Sequence, residues 1–284
     1  DLDYTGHKNV KISMIKYLKK ILVEFPEEIT KTAETPAGEH LFKVASEDMA
    51  KLLPEEQARA FHHAVAQLLF LCMRARPDIQ TAVAFLTKRV RAPDEHDWNK
   101  LRRLLKYLKG TMYMKLTLSV DNMNTIHWYV DASYGAHMDL KGHTGMMMTL
   151  GRGATMSFSR GQKLNVKSST ECELVGIDDA IPQIMWGKYF IEDQGYTVEH
   201  NILYQDNKST ILLATNGRSS SSKRTKHIEH RYFLIKDKIS RGDVEIKHAP
   251  TEEMWSDLLT KPQQGMLFKR QRAELMNCEV NYDD

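Results

Sequence analysis

Four carboxylates in the second half of the chain stand where they could act together. Asp131 ends an apolar, alternating run, Ile126-His127-Trp128-Tyr129-Val130-Asp131. Glu173 lies in Ser168-Ser169-Thr170-Glu171-Cys172-Glu173-Leu174, which opens a long helical pattern. Asp206 closes a second apolar run that begins at Asn201, and Asp257 sits within Met254-Trp255-Ser256-Asp257-Leu258-Leu259-Thr260. Carboxylates gathered in a buried site repel one another, so the gathering is costly unless a cation neutralises it. Magnesium takes oxygen ligands, and such a cluster is the usual host of a pair of ions in phosphodiester cleavage.

Each of these residues has a plainer alternative. By pattern alone Asp131 reads equally as a strand-end turn residue. Glu171 and Glu173 compete for the second place, because two residues apart on a helix they diverge by about 200° and both cannot face one site. Glu173 shares the apolar face of Ile177, Ala180, Ile181 and Ile184, whereas Glu171 lines up with Val175 and Asp178. The packed face points at a sheet, which favours Glu173. Glu171 suits the first helical turn, where the macrodipole favours negative charge. Asp206 is a credible N-cap for the helix after it, although Asn207 and Ser209 could take that place. Asp257, flanked by Trp255 and Leu258, opens no obvious cap and reads as partly buried. His227 and His230 have a spacing that zinc could use, but no cysteine is near and a surface loop explains them as well.

The elements that must position these groups follow from hydropathy. Val10–Phe25, Pro54–Met73, Ile79–Arg91 and Asp94–Lys109 carry helical apolar faces, and Gly110 is a plausible stop. Residues 1–122 therefore form a mainly helical first domain. From 123 the pattern changes. Ile126–Val130, Gly145–Leu150 and Thr155–Phe158 read as an antiparallel meander. A helix follows from about Thr170 to Gln194, with Pro182 as a kink. Then come a strand Asn201–Gln205, helices from Ser209 and over Glu229–Ser240, a strand Val244–His248, and helices from Glu252 and over Gly265–Met276. This is an α/β layered domain over 123–276, with a short tail at 277–284.

The composition excludes several classes. Three widely spaced cysteines without a CxxC speak against a disulfide scaffold or a cysteine-based zinc site and fit a reducing compartment. The longest apolar run, Ala64–Met73, is far short of the ~20 residues that span a bilayer, so no membrane partner is expected. The net charge is only +3, yet residues 88–115 hold nine basic against three acidic side chains. Lys100, Arg103 and Lys106 fall at helical spacing and could share an exposed, phosphate-attracting face. A solvated amphipathic helix would look the same. Met146-Met147-Met148 reads as core filling.

The carboxylate contexts resemble the RNase H domain of copia-type retrotransposon Pol polyproteins. The resemblance rests on Tyr129-Val130-Asp131-Ala132-Ser133, Ser168-Ser169-Thr170-Glu171-x-Glu173, Gln205-Asp206-Asn207-x-Ser209, Thr225-Lys226-His227-Ile228 and Pro250-Thr251-Glu252-Glu253 through Asp257-Leu258-Leu259-Thr260-Lys261-Pro262. The first domain is similar to the region behind the polymerase palm, through Phe61-His62, Gln67-Leu68-Leu69-Phe70-Leu71, Arg74-x-Arg76-Pro77-Asp78-Ile79 and Leu104-Leu105-x-Tyr107-Leu108-Lys109-Gly110-Thr111. It is expected to be a reverse-transcriptase thumb or connection remnant.

The resemblance implies an RNase H-like five-stranded mixed sheet with flanking helices. It implies hydrolysis of the RNA strand of an RNA–DNA hybrid, with two Mg2+ ions (Mn2+ as a substitute) on Asp131, Glu173, Asp206 and Asp257. Asp131 would bridge the ions, with Glu173 and Asp206 on one side and Asp257 on the other. Lys226, His227 and Arg231 would contact phosphate, and His248 would assist proton transfer, although a strand-end role suits it equally. The family's polymerase carboxylate pair is not found; Asp178-Asp179 falls in a helix, and Tyr282-Asp283-Asp284 has no strand after it. The acidic start without Met leads us to expect a piece of a longer protein, with the reverse-transcriptase palm and fingers as upstream partners if the full polyprotein carries them. An intracellular setting is expected, cytoplasmic (a virus-like particle, for an active element) or nuclear. The alternative is a decayed or domesticated element fragment that binds nucleic acid without cutting it.

Overall fold

The computed structural model describes residues 1–6, 8–46, 50–216 and 229–280, with the backbone alone for 229–232. The chain divides into two compact units. One is built from Asp1–Leu118 together with the chain from Lys261 onward, the other from Ser119–Thr260. Residues 123–276, expected as one domain, are thus divided between the two units at 260/261.

In the first unit a short antiparallel pair, β1 (Leu2–Asp3) and β2 (Asn9–Ile12), precedes α1 (Ile15–Glu24), α2 (Glu55–Cys72), α3 (Gln80–Thr87) and α4 (Glu95–Gly110). Asp94 starts α4 with a reciprocal capping box: its side chain accepts from Asp97 N at 2.8 Å, and Asp97 accepts from Asp94 N at 3.2 Å. The apolar stripe of α4, Leu101, Leu104, Leu105 and Leu108, is fully buried. A strand, β3 (Leu116–Val120), follows α4 where none is expected, although its Leu-Thr-Leu-Ser-Val alternation carries a strand signal.

The second unit carries a five-stranded mixed sheet. Its strands are β4 (Thr125–Ser133), β5 (His143–Thr149), β7 (Met156–Gly161), β8 (His200–Gln205) and β9 (Glu245–His248), arranged β7-β5-β4-β8-β9. A two-residue strand, β6 (Gly151–Arg152), pairs with the end of β3. β4, β5 and β7 run antiparallel in sequence, while β8 joins β4 in parallel and β9 joins β8 in parallel. The crossover from the meander to β8 passes through α5 (Ser169–Asp193). Helices α6 (Lys208–Asn216) and α7 (Glu229–Ser240) connect β8 to β9. In place of the helix expected from Glu252, the chain forms two short 3-10 segments, Thr251–Glu253 and Trp255–Leu259. Helix α8 (Gly265–Met276) ends the described chain, with Asn277 left-handed at its C-cap.

Alternation in β4 sends Ile126, Trp128 and Val130 into a core shared with Leu174, Ile177, Ala180, Ile181 and Ile184 of α5 and with Met146 and Met148 of β5. Two glycines let α5 lie this close. A Cβ on Gly187 would stand 2.7 Å from the Trp128 ring, and one on Gly176 would stand 3.2 Å from Ala132 Cβ. The buried indole N–H of Trp128 donates to Asn201 Oδ1 at 2.7 Å, which ties β4 to β8. Truncating such a ring costs about 3–5 kcal/mol.

Candidate metal centre

Asp131 and Asp206 meet because β4 and β8 are parallel neighbours. The register pairs Tyr129 with Tyr204; carried two residues on, it sets Asp131, two residues before the end of β4, beside Asp206, just past the end of β8, in the region where α/β sheets place their sites. Glu173 comes from the first turns of α5. Oxygens of these three side chains lie within 4.8 Å of one another, with Asp131 and Glu173 buried and Asp206 half-buried. Asp257 does not belong to this set. It is buried on the Trp255–Leu259 segment, which packs against β4 and β5.

Three neutral residues hold the carboxylates in place. Thr260 Oγ1 donates to Asp131 Oδ2 at 2.5 Å and lies 3.0 Å from the Asp257 carbonyl oxygen. Gln205 is fully buried, and its amide donates to Glu173 Oε2 and to Val130 O, both at 3.3 Å, while its Oε1 accepts from Asn207 N at 3.0 Å. Thr251 Oγ1 donates to Asp206 Oδ2 at 3.1 Å. Sequence reasoning assigned no role to Gln205 or Thr260. A fully polar residue ending an apolar strand beside an aspartate was the available signal for the first. For Thr260 there was none beyond its place in the Leu258-Leu259-Thr260-Lys261 motif.

Gly145 makes the Thr260 contact reachable. It stands opposite Asp131 in the sheet. A Cβ there would lie 2.7 Å from Leu259 Cβ and 2.8 Å from both Ser256 O and Thr260 Cγ2. The absence of a side chain lets the 256–260 segment settle onto β5.

Glu171 takes no part in the cluster. Its backbone N–H donates to the N-cap Ser168 Oγ at 3.2 Å, and its carboxylate accepts from Lys167 N at 2.8 Å. Asn207, not Asp206, caps α6, accepting from Ser209 N at 3.0 Å and Thr210 N at 3.1 Å. The gathered charge reaches its neighbour: burial, then the charges of Glu173 and Asp131, push the Cys172 thiol up to about 12. His248 is exposed at the end of β9, opposite Gln205. Lys226 and His227 lie outside the described residues, as does the side chain of Arg231.

The basic stripe of α4 differs from expectation, because the face it occupies is partly covered. Lys100 Nζ donates to Lys43 O at 2.5 Å and sits 4.2 Å from the Phe85 ring centre, leaving its side chain 20% exposed. Arg103 donates to Thr35 Oγ1 at 2.8 Å. A helical wheel shows which face is basic; it cannot show that residues 35 and 43 lie over it.

A mixed sheet whose first three strands form an antiparallel meander, with the fourth and fifth added in parallel beside the first, is the RNase H-like arrangement. No protein-family model matches the chain. It is 29% identical over 255 residues to the retrovirus-related Pol polyprotein from transposon TNT 1-94 of Nicotiana tabacum, covering 88% of this chain and 19% of that protein. With the corresponding polyprotein from transposon RE2 of Arabidopsis thaliana it shares 30% identity over 207 residues, 72% of this chain and 14% of that one. A putative transposon Ty5-1 protein of Saccharomyces cerevisiae is 28% identical over 65% of this chain and 59% of its own length. Among solved structures, LC11-RNase H1 from compost matches 48% of this chain and 93% of its own at 16% identity, with a TM-score of 0.36. The foamy viral protease-reverse transcriptase in complex with RNA/DNA hybrid matches 74% of this chain and 26% of its own at 10% identity, with a TM-score of 0.44. The chain is thus a homologue of a segment of copia-type transposon Pol polyproteins. It spans about a fifth or less of the two plant polyproteins. Among the described residues no helix is long and apolar enough to cross a membrane.

Proposed function

We propose that the second unit is a ribonuclease H, cutting the RNA strand of an RNA–DNA hybrid at the Asp131–Glu173–Asp206 centre. One observation carries this reading: three acidic side chains from three separate elements have oxygens within 4.8 Å of one another. Nothing in packing requires that meeting, and it is unfavourable without a cation. The donor set is all oxygen, which fits Mg2+, with Mn2+ as its substitute. Asp131, Glu173 and Asp206 would hold the ions, with Asp257 as a fourth carboxylate from the neighbouring 3-10 segment. A pair of such ions, when bound, would supply the chemistry of activating water and stabilising the leaving oxygen, and the product would carry a 3′-hydroxyl.

The chain's own residues do the positioning. Gln205 orients Glu173, Thr260 orients Asp131 and Thr251 orients Asp206, the role that outer partners play around ligating groups. His248, exposed beside the strand that ends at Asp206, is suited to carry a proton at the edge of the site. Hybrid would be selected through 2′-hydroxyl contacts across its wide minor groove. Lys226, His227 and Arg231 are assigned to phosphate contacts. The first unit, as the thumb or connection remnant, binds nucleic acid without chemistry through the α4 stripe, chiefly Lys106, since Lys100 and Arg103 are engaged with Lys43 and Thr35.

Substrate selection tests the proposal. With one RNA sequence supplied as hybrid, RNA duplex and single strand, cleavage confined to the hybrid is expected. Equal cleavage of all three would point to an unspecific nuclease. Cleavage of none would favour the binding-only alternative.

A further inference from the structure

Gln205 holds Glu173 by its carboxylate. A second buried amide holds the same residue by its main chain. Gln162 directly follows β7 and is 3% exposed. Its backbone N–H donates to Gly142 O at 2.8 Å, which pins it beside the start of β5. From there its side chain reaches α5. Nε2 donates to Cys172 O at 2.9 Å and to Thr144 Oγ1 at 3.1 Å, and Oε1 accepts from Cys172 Sγ at 3.3 Å. Thr144 in turn donates to Asp179 Oδ2 at 3.1 Å, about two turns further along the same helix.

The Cys172 carbonyl and the Glu173 nitrogen belong to one rigid peptide plane. Fixing that carbonyl therefore fixes the backbone from which the Glu173 side chain departs. Within a helix a carbonyl already has a partner four residues on, so α5 does not need Gln162 in order to be a helix. Filling the space does not need an amide either. A buried amide is costly unless every bond is made, and an apolar side chain of the same length would pack without that demand. What the amide adds is direction. We propose that Gln162 is a positioning residue of the carboxylate centre: it sets the Cys172–Glu173 peptide so that the Glu173 carboxylate meets those of Asp131 and Asp206. This rests on the reading of that centre as a metal site, and it extends the site's support to the far edge of the sheet.

The test measures Mn2+ binding by the full chain, read from the loss of the free ion's paramagnetic resonance signal, alongside thermal melting and hybrid cleavage. The unaltered chain should bind Mn2+ at a site that Asp206→Asn loses. Gln162→Met keeps the length of the side chain and removes its hydrogen bonds. It should weaken Mn2+ binding about ten-fold or more, the scale set by the partners behind a ligand. In cleavage it should need correspondingly more Mg2+ for half of its full rate, and regain most of that rate at saturating Mg2+. Ile184→Val loosens the buried face of α5 about three turns beyond Glu173; it should lower the melt and leave Mn2+ binding unchanged. Should Gln162→Met not fold, Gln162→Asn, which keeps the amide on a side chain one methylene shorter, is put to the same test. Unshifted Mn2+ binding in the Gln162 variant, whatever its melt, would leave Gln162 a structural residue and overturn the proposal. So would an equal shift in Ile184→Val, or an unaltered chain that takes up no Mn2+ at the Asp206-dependent site. A chain that binds Mn2+ and cuts no hybrid would end the ribonuclease reading, while Gln162 would still be judged by the ion.

Discussion

Replacing Gly145 by Ala probes the one place where a missing side chain decides the geometry of the centre. The new Cβ would stand 2.7–2.8 Å from Leu259 Cβ, Ser256 O and Thr260 Cγ2. Ordinary carbon contacts lie near 3.5–4.0 Å, so the 256–260 segment must retreat by roughly 1 Å. One of the three obstructing atoms is backbone, so rotation of a side chain cannot absorb the shift. Overpacking of this kind costs about 1–3 kcal/mol, which for a chain of this size lowers the melting temperature by roughly 2–12 °C. The same retreat draws the Thr260 hydroxyl away from Asp131 Oδ2, and a misplacement of about 1 Å can cost on the order of 10²-fold in rate. The assay is a thermal melt alongside hybrid cleavage, measured well below the variant's melting point. Gly145→Ala with an unshifted melt would show that the segment does not press on β5. A lowered melt with an unchanged rate would show that Thr260 does not position Asp131.

Other perturbations separate the parts of the centre. Glu173→Gln should lower hybrid cleavage by more than the roughly 10–100-fold that loss of an outer partner costs. Glu171→Gln should leave cleavage intact and cost at most about 1 kcal/mol in a melt; equal losses in the two variants would contradict the assignment. Replacing Lys100, Arg103 and Lys106 together by Ala should flatten the salt dependence of hybrid binding by about one phosphate contact, with a slope of about −0.9 each, and not by three, because Lys100 and Arg103 are engaged with Lys43 and Thr35. Salt titration of binding checks this, and a change of three would mean that those contacts open on binding. The thiols of Cys72 and Cys172 are each pushed up to about 12, chiefly by burial. In the unfolded chain they ionise near pH 8.5, so above that pH the unfolded state holds fewer protons. Stability should then fall as pH rises from about 9 toward 12, and Cys172→Ala should flatten that fall in denaturant melts across the range; a fall of unchanged steepness would contradict it.

Much of the second unit was legible because its strands alternate and its helix has one apolar face. The period-2 pattern of residues 126–131 sends Trp128 inward and Asp131 to the opposite face, although β4 runs two residues past Asp131, to Ser133, and the 3.6-residue period of α5 separates Glu173 from Glu171. Asn207 could be weighed against Asp206 as a cap from local chemistry alone. What sequence could not show depends on distant parts of the chain meeting. Thr260 and Asp131 are 129 residues apart, and Gly145 matters only because that segment lies on it. Asp257 illustrates the same limit. Its motif placed it with the other three, while the packing of its 3-10 segment leaves its carboxylate outside their set. Helix α8 was read as the end of the second domain, yet Arg272 on it reaches Tyr107 of α4, a contact invisible to periodicity.

The most direct measurement is cleavage of an RNA–DNA hybrid labelled in its RNA strand, with Mg2+ or with a chelator, by the unaltered chain and by Asp206→Asn. Asparagine keeps the shape of Asp206 and removes the charge that would hold a cation. The unaltered chain should cut the RNA strand only with Mg2+. Asp206→Asn should bind the hybrid at least as well, melt at the same temperature and leave the RNA whole. Cleavage that persists in the chelator, or a variant that cuts with Mg2+ as the unaltered chain does, would contradict a metal-dependent centre built on these carboxylates.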